Sequence, residues 1–246
     1  MAPKNEGERD RCYSPSQALI CAVMYDHHKY AQYLLTLCPR EALATPRMNV
    51  APLSHYAPHL AVELDRKEIT NMILGAAKQM GILPFYINQK SSQFKGEERL
   101  ALHQACEMAN ANMVLRLLGK GADPNIKDSG GFTPLDIVLE QLKDSCVNWD
   151  SKMICLHDLF LFSQAVQFKS KATLRGNKEY WGNLLEQDEY NYFIGKSPAP
   201  LSLCSMKTVL QCLVPSDFPH SVLALPIPHS LKPVPAQLDT WELREP

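Results

Sequence analysis

"LALHQACEMANANMVLRLLGKGADPNIKD", residues 100–128, is the stretch whose periodicity decides the fold. Leu102, Ala105 and Met108 recur at helical spacing, and Val114, Leu117 and Leu118 do so again a few residues later. The pattern predicts two short helices with facing apolar stripes, in which Ala105 and Ala109 are small enough to let the helices approach closely. Gly121 stops the second helix. "GADPN" then turns the chain outward through Asp123, Pro124 and Asn125. "DSGGFTPLD" restarts the cycle, with Thr133 placed to cap a new helix and Pro134 at its first position.

Leu102 and Leu135 stand 33 residues apart, as do Ala105 and Val138. That interval, with LH-x-A-C, then LL-x-x-GAD-x-N, then G-x-TPL in order, resembles an ankyrin repeat. Upstream the same grammar is degraded. "PHLAVELDRKEITNMIL" (58–74) reads as helix, tight turn, helix, with Ala61 and Ile73-Leu74 in matching places. "SPSQALICAVMYDHHKYAQYLL" (14–35) repeats it, opened by Ser14-Pro15 and closed by Leu34-Leu35. Ala22, Ala61 and Ala105 are separated by 39 and 44 residues, so loops intervene. "MGILPFYINQKSSQFKGEER" is expected to be one of them, an exposed excursion.

The predicted fold is therefore all-α: an ankyrin-type α-solenoid of about three to four helix pairs (three full and a capping fourth). Each pair buries its face against a neighbour. The chain divides into a disordered N-terminus (1–11), the ankyrin region (12–144, best repeat 97–128) and capping or connecting helices (145–197). A proline-punctuated segment (198–235) and a tail (236–246) complete it. In the connecting region "SKMICLHDLFLFSQAVQF" predicts a mostly buried helix. "NKEYWGNLLEQDEYNYFIG" predicts one amphipathic helix with Trp181, Leu184 and Leu185 inward.

Composition narrows the function. The chain has 246 residues, 46% hydrophobic and 21% charged, with a net charge of -1. No basic excess is present to neutralise phosphates, so a dedicated nucleic-acid binder is not expected. Lys169, Lys171, Arg175 and Lys178 cluster, which a solvated helix face explains better. No apolar run reaches membrane-spanning length. "MAPKNEGERDRC" is too polar for a secretory signal. The eight cysteines are scattered, as suits reduced thiols. A cytosolic protein is expected.

Three prolines in "LALPIPHSLKP" (223–233) exclude a helix interior, yet Leu223, Leu225, Ile227 and Leu231 are too apolar for a free tail. Upstream, "PLSLCSMKTVLQCL" (200–213) predicts a short helix with Leu201, Ser205 and Val209 at intervals of four. A loop, "VPSDFPHS", and an extended "LPIP" run follow. Helix, loop and LPxP together resemble a SOCS box, an element through which adaptors join Elongin B, Elongin C and cullin five with its RING protein. The resemblance implies that Leu201, Ser205 and Val209 contact Elongin C, and that Leu225, Pro226 and Pro228 select the cullin. Ser205 departs from the family's pattern, which has cysteine there; Cys204 is one residue early. A buried serine hydroxyl must find a partner, so weaker Elongin binding is implied.

Resemblance over most of the chain implies a substrate receptor of a cullin-RING ubiquitin ligase. Its target would be a cytosolic protein, with metabolic enzymes among the candidates. The alternative is an ankyrin scaffold with no ligase link, and the orientation of Leu201 and Leu225, to solvent or to the core, discriminates the two.

Enzymatic readings fail. No C-x-x-C spacing offers zinc a close pair of thiolate ligands. His27 and His28 diverge by about 100° on a helix. Cys155 and His157 lie in a helix that reads as buried. His103 occupies the repeat position whose imidazole bonds neighbouring backbone. No phosphate loop occurs. No cofactor, metal site or catalytic residue is expected.

Overall fold

The computed structural model describes residues 13–45, 56–92, 98–145, 147–163, 168–185, 187–213, 218 and 220–226. The expected disordered terminus (1–11) and tail (236–246) lie outside them. The chain forms two compact units, Met1–Gly81 and Ile82–Pro246. Its fold is all-α and of ankyrin type.

In the first unit, α1 (Pro15–Met24) and α2 (His28–Leu37) form one helix pair and α4 (Ala57–Glu63) and α5 (Lys67–Gln79) the next, with the short α3 (Pro39–Ala42) between them. α1 packs on α4 and α2 on α5, the stacking that a repeat array requires. Ser14 opens α1 as the sequence predicts: its hydroxyl accepts the Gln17 N–H while the Gln17 amide oxygen accepts the Ser14 N–H.

The second unit begins with α6 (Leu83–Ile87) and a two-residue antiparallel ladder, β1 (Ser91–Ser92) against β2 (Glu98–Arg99). This connection is less exposed than expected. Leu83, Tyr86 and Ile87 are buried, and the Asn88 amide both donates to Gly121 O and accepts from Asp123 N. α7 (Ala101–Glu107) and α8 (Ala111–Gly119) form the repeat read from residues 100–128. α9 (Pro134–Asp144) and α10 (Trp149–Phe162) form a further pair, with α9 on α7 and α10 on α8. The sequence placed 149–162 among connecting helices; the structure makes it the second helix of the fourth pair. Its apolar positions run round the helix because α8, α9 and a later helix (Leu201–Cys212) all pack on it. α11 (Lys171–Gly176), α12 (Lys178–Leu184) and α13 (Gln187–Phe193) follow. The single helix expected over 177–195 is thus broken at Leu185, whose backbone is extended so that its side chain is buried along with Trp181. Finally come α14 (Leu201–Cys212) and α15 (His220–Leu223).

The three read repeats share one turn. Asp26, Asp65 and Ala109 each sit in the left-handed region, at φ 57°, 51° and 50°. In each, the next N–H reaches back five residues, from His27, Arg66 and Asn110 to the carbonyls of Ala22, Ala61 and Ala105. Those alanines are fully buried, as close helix approach demands.

Repeat four carries a substitution of the same logic. His103 Nδ1 accepts the Leu100 N–H at 3.3 Å, and its Nε2 lies 3.1 Å from Phe132 O. Burial lowers the His103 pKa, despite the opposing bond to Phe132, so the neutral ring serves as the structural link expected. Asp136 stands 33 residues later. Its buried carboxylate accepts N–H bonds from Thr133 (2.9 Å), Lys169 (3.1 Å) and Ser170 (2.7 Å). Burial alone would raise its pKa, but these donors outweigh burial and hold it below the ordinary range.

Candidate functional site

α14 begins after the prolines of "KSPAP", with Pro200 at its N-cap, and lies against α10. Its inner side holds Leu203, which lines a small apolar cavity with Leu156 and Phe160 of α10 and Phe193 of α13. Lys207 is also inward: its stem is buried, and Nζ lies 3.3 Å from the Tyr192 hydroxyl. Burial depresses the Lys207 pKa and raises that of Tyr192.

The outer side is the candidate site. Leu201 is 82% exposed, and Cys204, Ser205, Thr208 and Cys212 are exposed at spacings of three, four, seven and eleven from it. A residue at i+4 advances 40° round the helix, so i+8 has drifted 80°. Val209 has accordingly rotated toward the body and is half-buried, while Cys204 and Thr208 complete the outer stripe. The sequence pointed to Leu201 and Ser205 on this face but missed Cys204, Thr208 and Cys212. The i+3, i+7, i+11 pattern was the available signal. None of the five is charged. The Ser205 hydroxyl donates to Leu201 O at 2.8 Å, so it already has a partner on its own helix.

Leu225 has the opposite disposition. It is half-buried against a cluster of Leu115, Phe218 and Val222, closed by Phe162, Leu210 and Leu213. Pro226 is exposed in the bend after α15, and Pro228 lies outside the described residues. His220 and Ser221 are therefore not in the loop expected: they open α15. The structure separates the two predicted contact sets, leaving Leu201 in solvent and folding Leu225 onto the body.

Other singled-out residues have structural surroundings. Lys169 Nζ lies 4.0 Å over the Phe132 ring and donates to Gly130 O, and Arg175 donates to Ile194 O. Burial pushes the Cys155 thiol up to about 12, so no thiolate forms near neutrality for His157 to serve. His28 lies between Asp26 (3.3 Å) and Glu68 (3.8 Å). Among the described residues no group of three or more His, Cys, Asp or Glu converges on a metal-sized space. No helix there is long and apolar enough to cross a membrane.

Comparison with known proteins agrees with this geometry. Ankyrin repeats (many copies) match as a family over residues 91–138, from β1 into the first turns of α9. Ankyrin repeat domain-containing protein 9 of Mus musculus is 30% identical over 263 residues, which cover 94% of this chain and 80% of that protein. The chain belongs to that ankyrin-repeat family. The nuclear factor NF-kappa-B p110 subunit of Drosophila melanogaster is 37% identical over 65 residues, 25% of this chain and 7% of that protein. Members of this family are interaction proteins. The helix pairs supply a scaffold, and specificity lies in exposed side chains.

Proposed function

We propose that this protein is a non-catalytic substrate receptor of a cullin-RING ubiquitin ligase. Its ankyrin helices hold a cytosolic target, and the outer stripe of α14 receives Elongin C, bound to Elongin B. The Leu225, Pro226 and Pro228 segment then meets cullin five with its RING protein. The observation that carries the reading is Leu201. It is 82% exposed at the first position of a helix otherwise anchored to the body, and it heads a continuous uncharged stripe with Cys204, Ser205, Thr208 and Cys212. The uncharged stripe beyond it suits an apolar groove, and the satisfied Ser205 hydroxyl removes most of the penalty expected for serine in place of cysteine.

The test is co-purification with Elongin B and C. Burying Leu201 stabilises a complex by roughly 1.5–3 kcal/mol, so Leu201→Ser loses about ten- to a hundredfold in affinity with the fold unchanged. Unchanged capture by the variant defeats the reading. A second reading, an ankyrin scaffold with no ligase link, is favoured by Leu225 packing on the protein itself. It predicts that neither Leu201→Ser nor Leu225→Ser affects any Elongin or cullin contact.

A further inference from the structure

Phe218 and residues 220–225 lie as a strap across the end of α8. Phe218 and Val222 are buried on Leu115, and the Phe162 ring meets Phe218 edge-on at 6.0 Å. One missing side chain admits the strap: a Cβ at Gly119 would stand 2.0 Å from the Phe218 ring. Gly119 is the last residue of α8, without the positive φ that calls for glycine elsewhere in the chain. Alanine is the better helix former at such a position. The glycine therefore makes room for Phe218. The fit is imperfect, because Ser221 Oγ is buried with no hydrogen-bond partner, and opening would return it to water. Leu225, which the receptor reading gives to the cullin, is held in this cluster. Half-buried there, Leu225 offers a partner only part of its side chain.

We propose that the Phe218–Leu225 strap is an autoinhibitory contact, which covers Leu225 when seated over Gly119 and frees it for cullin when lifted. The proposal rests on the receptor reading. Leu201 on α14 stays open in both positions, so Elongin docks irrespective of the strap while cullin binds only the lifted form. Cullin affinity is then reduced by the fraction of chains with the strap lifted; if that is about one in ten, full release strengthens binding ~10-fold.

The full chain with Elongin B and C is compared as wild type, Gly119→Ala and Phe218→Ser. The first variant acts from the helix and the second from the strap, so a folding defect in one leaves the other as the test. Hydrogen exchange at the Leu225 amide, which donates to Val222 O at 3.2 Å, reports seating. Binding of cullin five with its RING protein reports release. Both variants are expected to speed that exchange and to tighten cullin binding severalfold, with Elongin capture unchanged. Unchanged exchange in both variants, or faster exchange with equal or weaker cullin binding, overturns the proposal. Failure of the receptor reading looks different: the wild-type chain captures no Elongin at all, and the inhibitory role falls with it.

Discussion

Asp136 is the most consequential buried charge in the second unit, and removing it tests how the fourth pair is held. Its carboxylate satisfies three backbone N–H groups and accepts a hydrogen bond from the Thr133 hydroxyl at 2.9 Å. Hydrogen bonds to a charged group contribute roughly 1.5–3 kcal/mol each before desolvation is charged against them. Asp136 is fully buried, so desolvation cancels much of the gross sum. Asp136→Ala also leaves the Lys169 and Ser170 donors buried without an acceptor. A net loss of about 3 kcal/mol follows, a fall in melting temperature of about 6–12 °C. The pH dependence has a definite sign. A folded pKa below the ordinary 3.8 means that the stabilisation is fully present above that value and disappears as pH falls through the lowered one. Urea titrations of wild type and Asp136→Ala, followed by circular dichroism between pH 7 and pH 2, should give curves that converge at the acid end. A gap at pH 7 below about 1 kcal/mol, or one that does not narrow on acidification, would refute the reasoning.

Further outcomes follow from other sites. Ala109→Gly should stabilise the protein by about 0.5–1 kcal/mol, because a left-handed residue with a Cβ is strained; a lower urea midpoint would contradict this. Asp158 has its pKa raised by burial, only partly offset by neighbouring His157, and Oδ2 has no hydrogen-bond partner. A raised carboxyl pKa withdraws stability as pH rises through it, so Asp158→Asn should exceed wild type in melting temperature at pH 7, with the gap closing as pH falls through that raised value toward the ordinary 3.8. Truncation after Ser197 uncovers Leu115 and Phe162 and removes α14 from α10; a strap lifted in about one chain in ten contributes ~1.4 kcal/mol by itself, so the melting temperature should fall by at least about 3 °C. An unchanged melting temperature would show that the C-terminal segment is an independent appendage.

The legibility of the sequence tracked the locality of the interaction. Residues 100–128 encode their helix pair through neighbours three and four apart, and the Ala22, Ala61 and Ala105 register held through degraded repeats. Each alanine is a contact point that tolerates nothing larger. The role of α10 was obscured because its apolar residues run all round, so no single face declared a partner. Leu201 and Ser205 were readable as one face of a helix, whereas Val209 required its angular drift to be followed. The seat of Phe218 on Gly119 was invisible: it joins residues 99 apart, and its sequence trace is a lone glycine ending a helix. Asp136 replacing a repeat histidine was legible in register, but its hold on Lys169 and Ser170 was not.

The shared turn has a practical consequence for engineering this chain. From each buried alanine the paired aliphatics follow at twelve and thirteen residues in all three repeats: Leu34-Leu35, Ile73-Leu74 and Leu117-Leu118. The stretch from alanine to aliphatic pair is thus of constant length, and the difference between the 39- and 44-residue spacings accumulates beyond that pair, partly within α5, which has 13 residues against the 10 of α2. Epitope tags, fluorescent labels or grafted peptides belong at the exposed points of the connections, Ala44–Thr45 and Gln89–Lys90, and not at the buried positions between. A single residue inserted at Asp26, Asp65 or Ala109 would rotate one helix of a repeat against the other and scramble the packing of both.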